Sequence, residues 1–474
     1  MEEERGNHQI IDMCEVDKEM LASMELKISQ NPKLLSKVAG NKSCSIFRVP
    51  QGLAEVNGKA YQPRIVSIGP YHRGQPRLNM IEEHKWRYLG SLLSRTQHKG
   101  LTLEDLVKSI TPLESQARDC YSETINLQSH EFIEMMVLDG CFIIELFRRV
   151  AKLVPSEPND PLVTMEWILP FFYRDFLKLE NQIPFFILHR LFEVSTLPGE
   201  NSTPKALSTI ALEFFSYSLA LQRPEPRSQT TTSFCDSPNN NVKFFQDGGW
   251  SIEPDKVMAN EKKHLLDLVR SCFTEEKTDP RNRVPTPTHV IHCVSKLRRS
   301  GIKIRPGKEG ENFLHVTFGH GVIHMPSITM DDFMSSFLLN CVAFEQCYRS
   351  CSKHFTTYVT LLDCLINTYR DVEYLCEKNI IENHFGTEGE VAHFINNAGK
   401  DVAVDMDLCY LSQLFNDVHK YYRNIGHVQW ASFKYTYFDT PWSFISALAA
   451  LVLLLLTVSQ TYFAAYQYFV PQKR

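Results

Sequence analysis

The run GIKIRPGKE at residues 301–309 has the ingredients of a phosphate-binding loop: two glycines, a lysine and no acid before its last residue. Such a loop needs four residues between its outer glycines and a Ser or Thr after the lysine to reach a metal ion. Here five residues separate Gly301 from Gly307 and Glu309 stands at the hydroxyl position, so nucleotide binding is not expected. What remains is a basic cluster, Lys296, Arg298, Arg299, Lys303, Arg305 and Lys308. It would suit anionic lipid headgroups or a phosphorylated partner, and its plain alternative is a solvated turn.

Metal ligation and covalent catalysis fare no better. His315, His320 and His324 lie close in sequence, and His289 and His292 flank Cys293, but no paired CxxC or HExxH is present. On one continuous strand His315 and His320 would point to opposite faces. Cys341, Cys347 and Cys351 also lack a ligand spacing and read as small buried hydrophobes. Cys120 or Cys141 with His84 or His189 would make a nucleophile and base. Nothing marks them as one, since no GxSxG elbow occurs and Cys141 sits in an apolar helix where a thiol is inert. Glu180, Asn181 and Gln182 precede Pro184 and are expected to satisfy backbone groups at a helix break. The sequence therefore assigns no catalytic, cofactor or metal residue. A hydrolase or transferase with a dispersed site is the alternative, with Cys120, His84 and Glu180 its first candidates.

At 474 residues the chain is long enough for one large core or two smaller ones. Hydrophobic residues at 43% and charged residues at 22% are the proportions of a folded protein. A net charge of −5 gives no global field to attract nucleic acid. The 13 cysteines are odd in number and irregularly spaced, which predicts reduced thiols. The first twenty residues are acidic and lack an apolar stretch, so entry into the secretory lumen is not expected. The sequons at Asn41 and Asn201 are then expected to stay bare.

The elements that would position these residues are mostly helices. Residues 1–43 form a lead-in with one amphipathic helix over 20–28. A first helical part spans 44–222, opening with short extended runs at 44–50 and 61–72. Helices are predicted over 82–93, 113–124 and 131–150, the last buried on most sides, and over 175–188, kinked or divided by Pro184. The Pro-, Ser- and Asn-rich stretch 223–255 is predicted as a linker or insertion. A second helical part spans 256–438, with helices over 261–272 and 290–299 and a β patch around 302–304 and 313–323. In it an apolar face runs through Val359, Leu362, Leu365, Ile366, Tyr369, Val372 and Leu375. The fold class is thus mainly α: a large helical body with a small β patch, plus one C-terminal transmembrane helix.

That last helix is the strongest signal. No charge occurs from Thr440 to Gln472, and a spanning helix needs about 20 predominantly apolar residues. Residues 442–468 provide them, with Phe444, Leu451, Leu455 and Phe463 along the span. Trp442 and Tyr462, Tyr466 and Tyr468 sit at its ends, as interfacial aromatic residues do. Only Lys473 and Arg474 close the chain, so post-translational insertion as a tail anchor is expected, with a cytosolic body at the plasma membrane or an endomembrane.

Several stretches already met occur together in one family. CSIFRVP (44–50), VSIGPYH (66–72), EHKWRYL (83–89), MMVLDGCFIIELF (135–147), LKLENQIPFF (177–186), GIKI (301–304) and NCVAFEQC (340–347) make the chain resemble the plant family called domain of unknown function 247. The resemblance covers nearly the whole chain from Cys44. It implies a helix-rich land-plant protein with a C-terminal membrane anchor and a part in recognition, stress or developmental responses, with no catalytic residues to carry over. The expectation is a membrane-anchored protein that acts on protein partners, without a cofactor, nucleic acid or identified small-molecule substrate.

Overall fold

A computed structural model describes residues 18–30, 32–97, 100–155, 157, 159–196, 206–220, 262–274, 291–308, 310–405, 409–423, 429 and 441–469. The expected linker at 223–255 lies outside the described residues. The first helix, α1 (Lys18–Ser29), is exposed throughout, including Met20, Leu21, Met24 and Ile28. Then come α2 (Gln51–Tyr61), α3 (Asn79–Thr96), α4 (Leu103–Ile110), α5 (Glu114–Arg118), α6 (Ser129–Val150), α7 (Pro161–Thr164), α8 (Ile168–Asp175), α9 (Phe185–Ser195) and α10 (Leu207–Ala220).

Helix α6 is the axis of this part, and its sequence says why. Apolar residues occupy every face, so it is stable only when surrounded, and α3, α4, α9 and α10 pack about it. Gln128 and Glu131 close its N-terminus with reciprocal side-chain-to-backbone bonds. Phe142 and Phe147 enter a cluster of rings with Phe172, Phe176 and Phe214, in which Phe142 meets Phe172 and Phe176, and Phe147 meets Phe176, edge to face. Gly140 marks the closest approach of α9, where a Cβ would collide with Leu191.

The chain continues through α11 (Leu265–Ser271), α12 (Val294–Arg299), β1 (Lys303–Pro306), β2 (Thr317–Gly319), β3 (Val322–Met325), β4 (Ile328–Met330), α13 (Asp332–Cys347), α14 (His354–Leu365), α15 (Tyr369–Glu377), β5 (Ile381–Asn383), α16 (Glu388–Ala398) and α17 (Ser412–Tyr422). Strand β3 is central in a three-stranded sheet, parallel to β1 with Lys303 opposite Val322 and antiparallel to β2 with Phe318 opposite Ile323. His320 and Gly321 join β2 to β3 with φ of 50° and 75°, the left-handed pair a two-residue hairpin demands. Strands β4 and β5 pair in parallel, Ile328 opposite Ile381. Helix α13 packs against α2, α8, α11 and α14, and one continuous cluster of buried side chains runs from Cys44 to Val418.

Three expected helices are corrected. Residues 175–188 are not one kinked helix: α8 ends at Asp175, Pro184 precedes α9, and 176–184 is non-helical. The apolar face from Val359 to Leu375 belongs to two helices, because Thr368 and Asp371 form a capping box that starts α15 afresh. Over 113–124 only the short α5 is helical, since Ile46 and Tyr121 meet in an isolated parallel bridge. Helices α11 and α12 are shorter than the expected 261–272 and 290–299, and residues 261 and 290 lie outside the described ones. The strands β4 and β5 were not expected.

The final helix, α18 (Pro441–Phe469), follows α17 after residues 423–440. Its 25 residues Trp442–Tyr466 are long and apolar enough to cross a membrane, and no part of them is buried inside the protein. Leu451, Leu455 and Phe463 are all more than half exposed. Thr457 and Thr461 turn their hydroxyls back onto the Leu453 and Thr457 carbonyls at 2.8 Å each, so neither needs an outside partner.

Candidate functional site

The non-helical stretch 176–184 holds most of the polar side chains that the sequence placed at a helix break. Asp175, the last residue of α8, accepts bonds from the Arg64, Ile65 and Val66 amides. Asn181 accepts from the Ile68 amide at 2.7 Å and donates to the Val66 and Asp175 carbonyls. Gln182 donates to the Phe176 and Lys178 carbonyls, while its own carbonyl accepts from the Tyr121 hydroxyl. Asp175 and Asn181 thereby satisfy backbone groups of residues 64–68, which have no strand partner among the described residues. The fit is close at Gly69. Its φ is +74°, its amide donates to Asp139 at 2.8 Å, and a Cβ there would collide with the Gln182 carbonyl oxygen. Gly69→Ala is therefore expected to destabilise the protein by about 2–4 kcal/mol, read from its unfolding midpoint in denaturant. A loss under about 0.5 kcal/mol would mean that the run tolerates displacement.

Glu180 stands where this network nears the surface. It accepts from the Val49 amide at 2.8 Å and from Arg48 Nη1 at 2.9 Å, and His72 Nε2 lies 3.2 Å away. Arg77 donates to Gln75 Oε1, which turns the Gln75 amide nitrogen toward His72 Nδ1. His72 Nδ1 then accepts and Nε2–H faces Glu180. Burial opposes ionisation of Glu180, yet His72, the Val49 amide and Arg48 together hold its carboxyl below the usual range. His72 Nδ1 is taken up by Gln75 and Nε2 lies beside Glu180 without an aligned hydrogen bond, while Glu180 pins the 44–50 run through Arg48 and the Val49 amide.

The other expected catalytic candidates are not brought together. No hydrogen bond, ion pair or ring contact joins Cys120 or Cys141 to His84 or His189 among the described residues. Burial pushes both thiols up to about 12, the condition of an inert cysteine. Cys120 Sγ donates to the Gln116 carbonyl and His189 pairs with Glu193 on its own helix. Among the described residues no three His, Cys, Asp or Glu side chains are placed to hold a metal ion. His315 precedes β2 and His320 lies in the hairpin turn, so the two do not share a strand. His292 lies against the Tyr422 ring at 4.5 Å between centres, tilted by 53°, and His289 lies outside the described residues.

The basic cluster lies on α12, β1 and the turn that follows. Lys303 and Arg305 point outward from β1, alternating with buried Ile304. Lys296, Arg299 and Lys308 are also exposed, and none of these five forms an ion pair among the described residues. Arg298 is partly buried, its guanidinium 4.1 Å from the Tyr374 ring centre. A cavity of about 420 Å³ opens elsewhere, between α2, α8, α13 and α16, with Lys59, Arg64, Arg174 and Lys178 in its wall. The sequence reading missed it because the lining comes from stretches up to more than three hundred residues apart. Its one local trace was a lysine inside the apolar 176–179.

Three comparisons bear on kinship. Residues 46–456 match the profile of a plant protein family of unknown function, DUF247. UPF0481 protein At3g47200 of Arabidopsis thaliana is 35% identical over 467 residues, covering 94% of this chain and 91% of that protein. Putative UPF0481 protein At3g02645 of the same plant is 24% identical, covering 90% of this chain and 91% of that protein. No solved structure matches the chain. With its extended runs pinned by the 176–184 stretch and its family profile covering nearly the full length, the chain belongs to the plant DUF247 family.

Proposed function

We propose that this protein is a membrane-tethered interaction component: α18 anchors it as a single-pass tail anchor, and the helical body presents a cytosolic surface to protein partners. The observation that carries the reading is α18 itself, whose 25-residue span Trp442–Tyr466 is strongly apolar on average and is not buried inside the protein. An apolar helix of that extent in water would cost about 25 cal/mol for each Å² left exposed, and a bilayer removes the cost. Free thiols at every described cysteine support a reducing compartment for the body. In this reading the protein binds and does not turn over a substrate, in keeping with raised thiols and a Glu180 carboxylate occupied in holding the backbone. The five exposed cations of α12, β1 and the following turn would then lie toward anionic headgroups or an acidic partner.

Protease protection on intact plant microsomes tests this, with tags at both ends and glycosidase sensitivity read at Asn41 and Asn201. Digestion of the body with both asparagines unmodified is the expected result. A protected and glycosylated body would place it in the lumen or outside the cell and overturn the cytosolic reading. Release of the protein by alkaline carbonate would overturn the anchor.

A further inference from the structure

We propose that the cavity between α2, α8, α13 and α16 is a binding site for a small organic anion, one carboxylate or phosphate group on a flat apolar body. Four cations from separate segments line it, Lys59, Arg64, Arg174 and Lys178, against the single carboxylate of Asp332. Asp332 is already engaged by Arg174 at 3.0 Å and is largely exposed. Two of the four are met by an acid, Arg174 by Asp332 and Lys178 by the field of Asp175. Among the described residues the side chains of Lys59 and Arg64 have no ion-pair partner.

Lys178 is the telling member. Only 2% of it is exposed, and its ammonium donates to the Ala60 carbonyl at 2.8 Å and to Ser336 Oγ at 3.4 Å. Neither partner carries a charge. Burial first, then the fields of Arg64, Arg174 and Arg77, push it down to about 8 against the opposing pull of Asp175. A buried cation beside three others is an expensive arrangement, and an anion in the cavity would relieve it. Arg174 adds a buried Nε with no hydrogen-bond partner. The cavity also lies against the first turns of α13, whose N-terminal end favours negative charge.

The lining also holds apolar side chains. Phe385 and Phe394 lie 5.5 Å apart at their ring centres, joined by Val56 and Leu339. A volume of about 420 Å³ falls within the range of small-ligand sites. One pole for charge and one for a flat apolar group define an amphipathic anion rather than a free inorganic ion.

The full chain in detergent micelles is titrated calorimetrically with phenyl phosphate, benzoate, inorganic phosphate and phenol. Saturable binding of phenyl phosphate or benzoate is expected, at least about tenfold tighter than either inorganic phosphate or phenol. The double variant Lys59→Ala/Arg64→Ala removes two exposed cations and is expected to keep the unliganded melting temperature while weakening binding about tenfold or more. Phe394→Ala is expected to narrow the gap between phenyl phosphate and inorganic phosphate. No saturable binding, equal binding of phosphate and phenyl phosphate, or binding unmoved by the double variant would overturn the proposal. Phenol binding as tight as the anions would make the cavity merely apolar and overturn it too.

Discussion

Replacing Glu345 by alanine is expected to remove about 3–5 kcal/mol of folding stability. Glu345 on α13 is fully buried and accepts from Arg270 Nη1 at 3.3 Å, the Phe355 amide at 3.2 Å and the Thr356 amide at 2.7 Å. It thereby ties α11, α13 and the start of α14 together. Burial raises its carboxyl, against the lowering pull of Arg270 and the two amides, so the charge is costly but compensated. Alanine leaves two α14 amides unsatisfied and Arg270 with Asp267, at 3.3 Å, as its remaining carboxylate. The check is denaturant unfolding of the full chain in mild detergent, followed by tryptophan emission. A double change to methionine at Glu345 and Arg270 serves as the contrast and should cost less than the single one, because the buried guanidinium leaves together with its carboxylate, while Asp267 loses a partner and the two α14 amides stay unsatisfied in both. A loss below about 1 kcal/mol for Glu345→Ala would sink the argument.

The second large effect is acid sensitivity from two buried imidazoles. Burial pushes His264 down to about 4, and His354 likewise, with Arg270 adding to it. His264 accepts at Nδ1 from the Asp267 amide as the N-cap of α11, which leaves Nε2–H to donate to the Ser45 carbonyl. His354 opens α14, where the positive helix end opposes a cation, and stacks on Tyr410 at 4.4 Å. Because both values are depressed, the unfolded chain binds more protons than the folded one below the ordinary value of 6.5. Stability falls as pH drops from 6.5 toward 4 and levels off below. At about pH 5 each histidine should cost about 2 kcal/mol. His354→Phe keeps the ring stack and removes the titration, so it should flatten the pH dependence by about half of that combined loss. Unchanged pH dependence in this variant would exclude His354 as a source.

Much of the architecture was legible in local pattern. α6 announced itself by being apolar on every face, and α18 by a long uncharged run, because both signals are contained in the residues themselves. The break at Thr368 was also written locally, as a threonine followed three residues later by Asp371, but an apolar face spanning it read as one helix. The 176–184 stretch was legible only in part. Pro184 signalled a division, yet Asp175 and Asn181 bind backbone groups at Arg64, Val66 and Ile68 and the Gln182 carbonyl accepts from the Tyr121 hydroxyl, and nothing in their own neighbourhood encodes that. Cys120 and His84 carried no such signal in either direction, since any long chain contains such pairs. The cavity lies at the far end of this scale. Lys59, Arg64, Arg174 and Lys178 become one charged wall only after four segments have packed.

Residues 423–440 between α17 and α18 number eighteen, which sets a maximum reach. Fully extended, eighteen residues span about 60 Å. Were α18 in a bilayer, as proposed, Tyr422 at the end of α17 could stand no farther than that from the membrane, whatever path the residues between them take. A single molecule confined within that distance of one point is at a local concentration on the order of millimolar. A membrane-embedded partner within that reach would then meet this protein as if from a concentrated solution, whereas one whose docking face stands beyond that reach plus the extent of the body itself would not meet it.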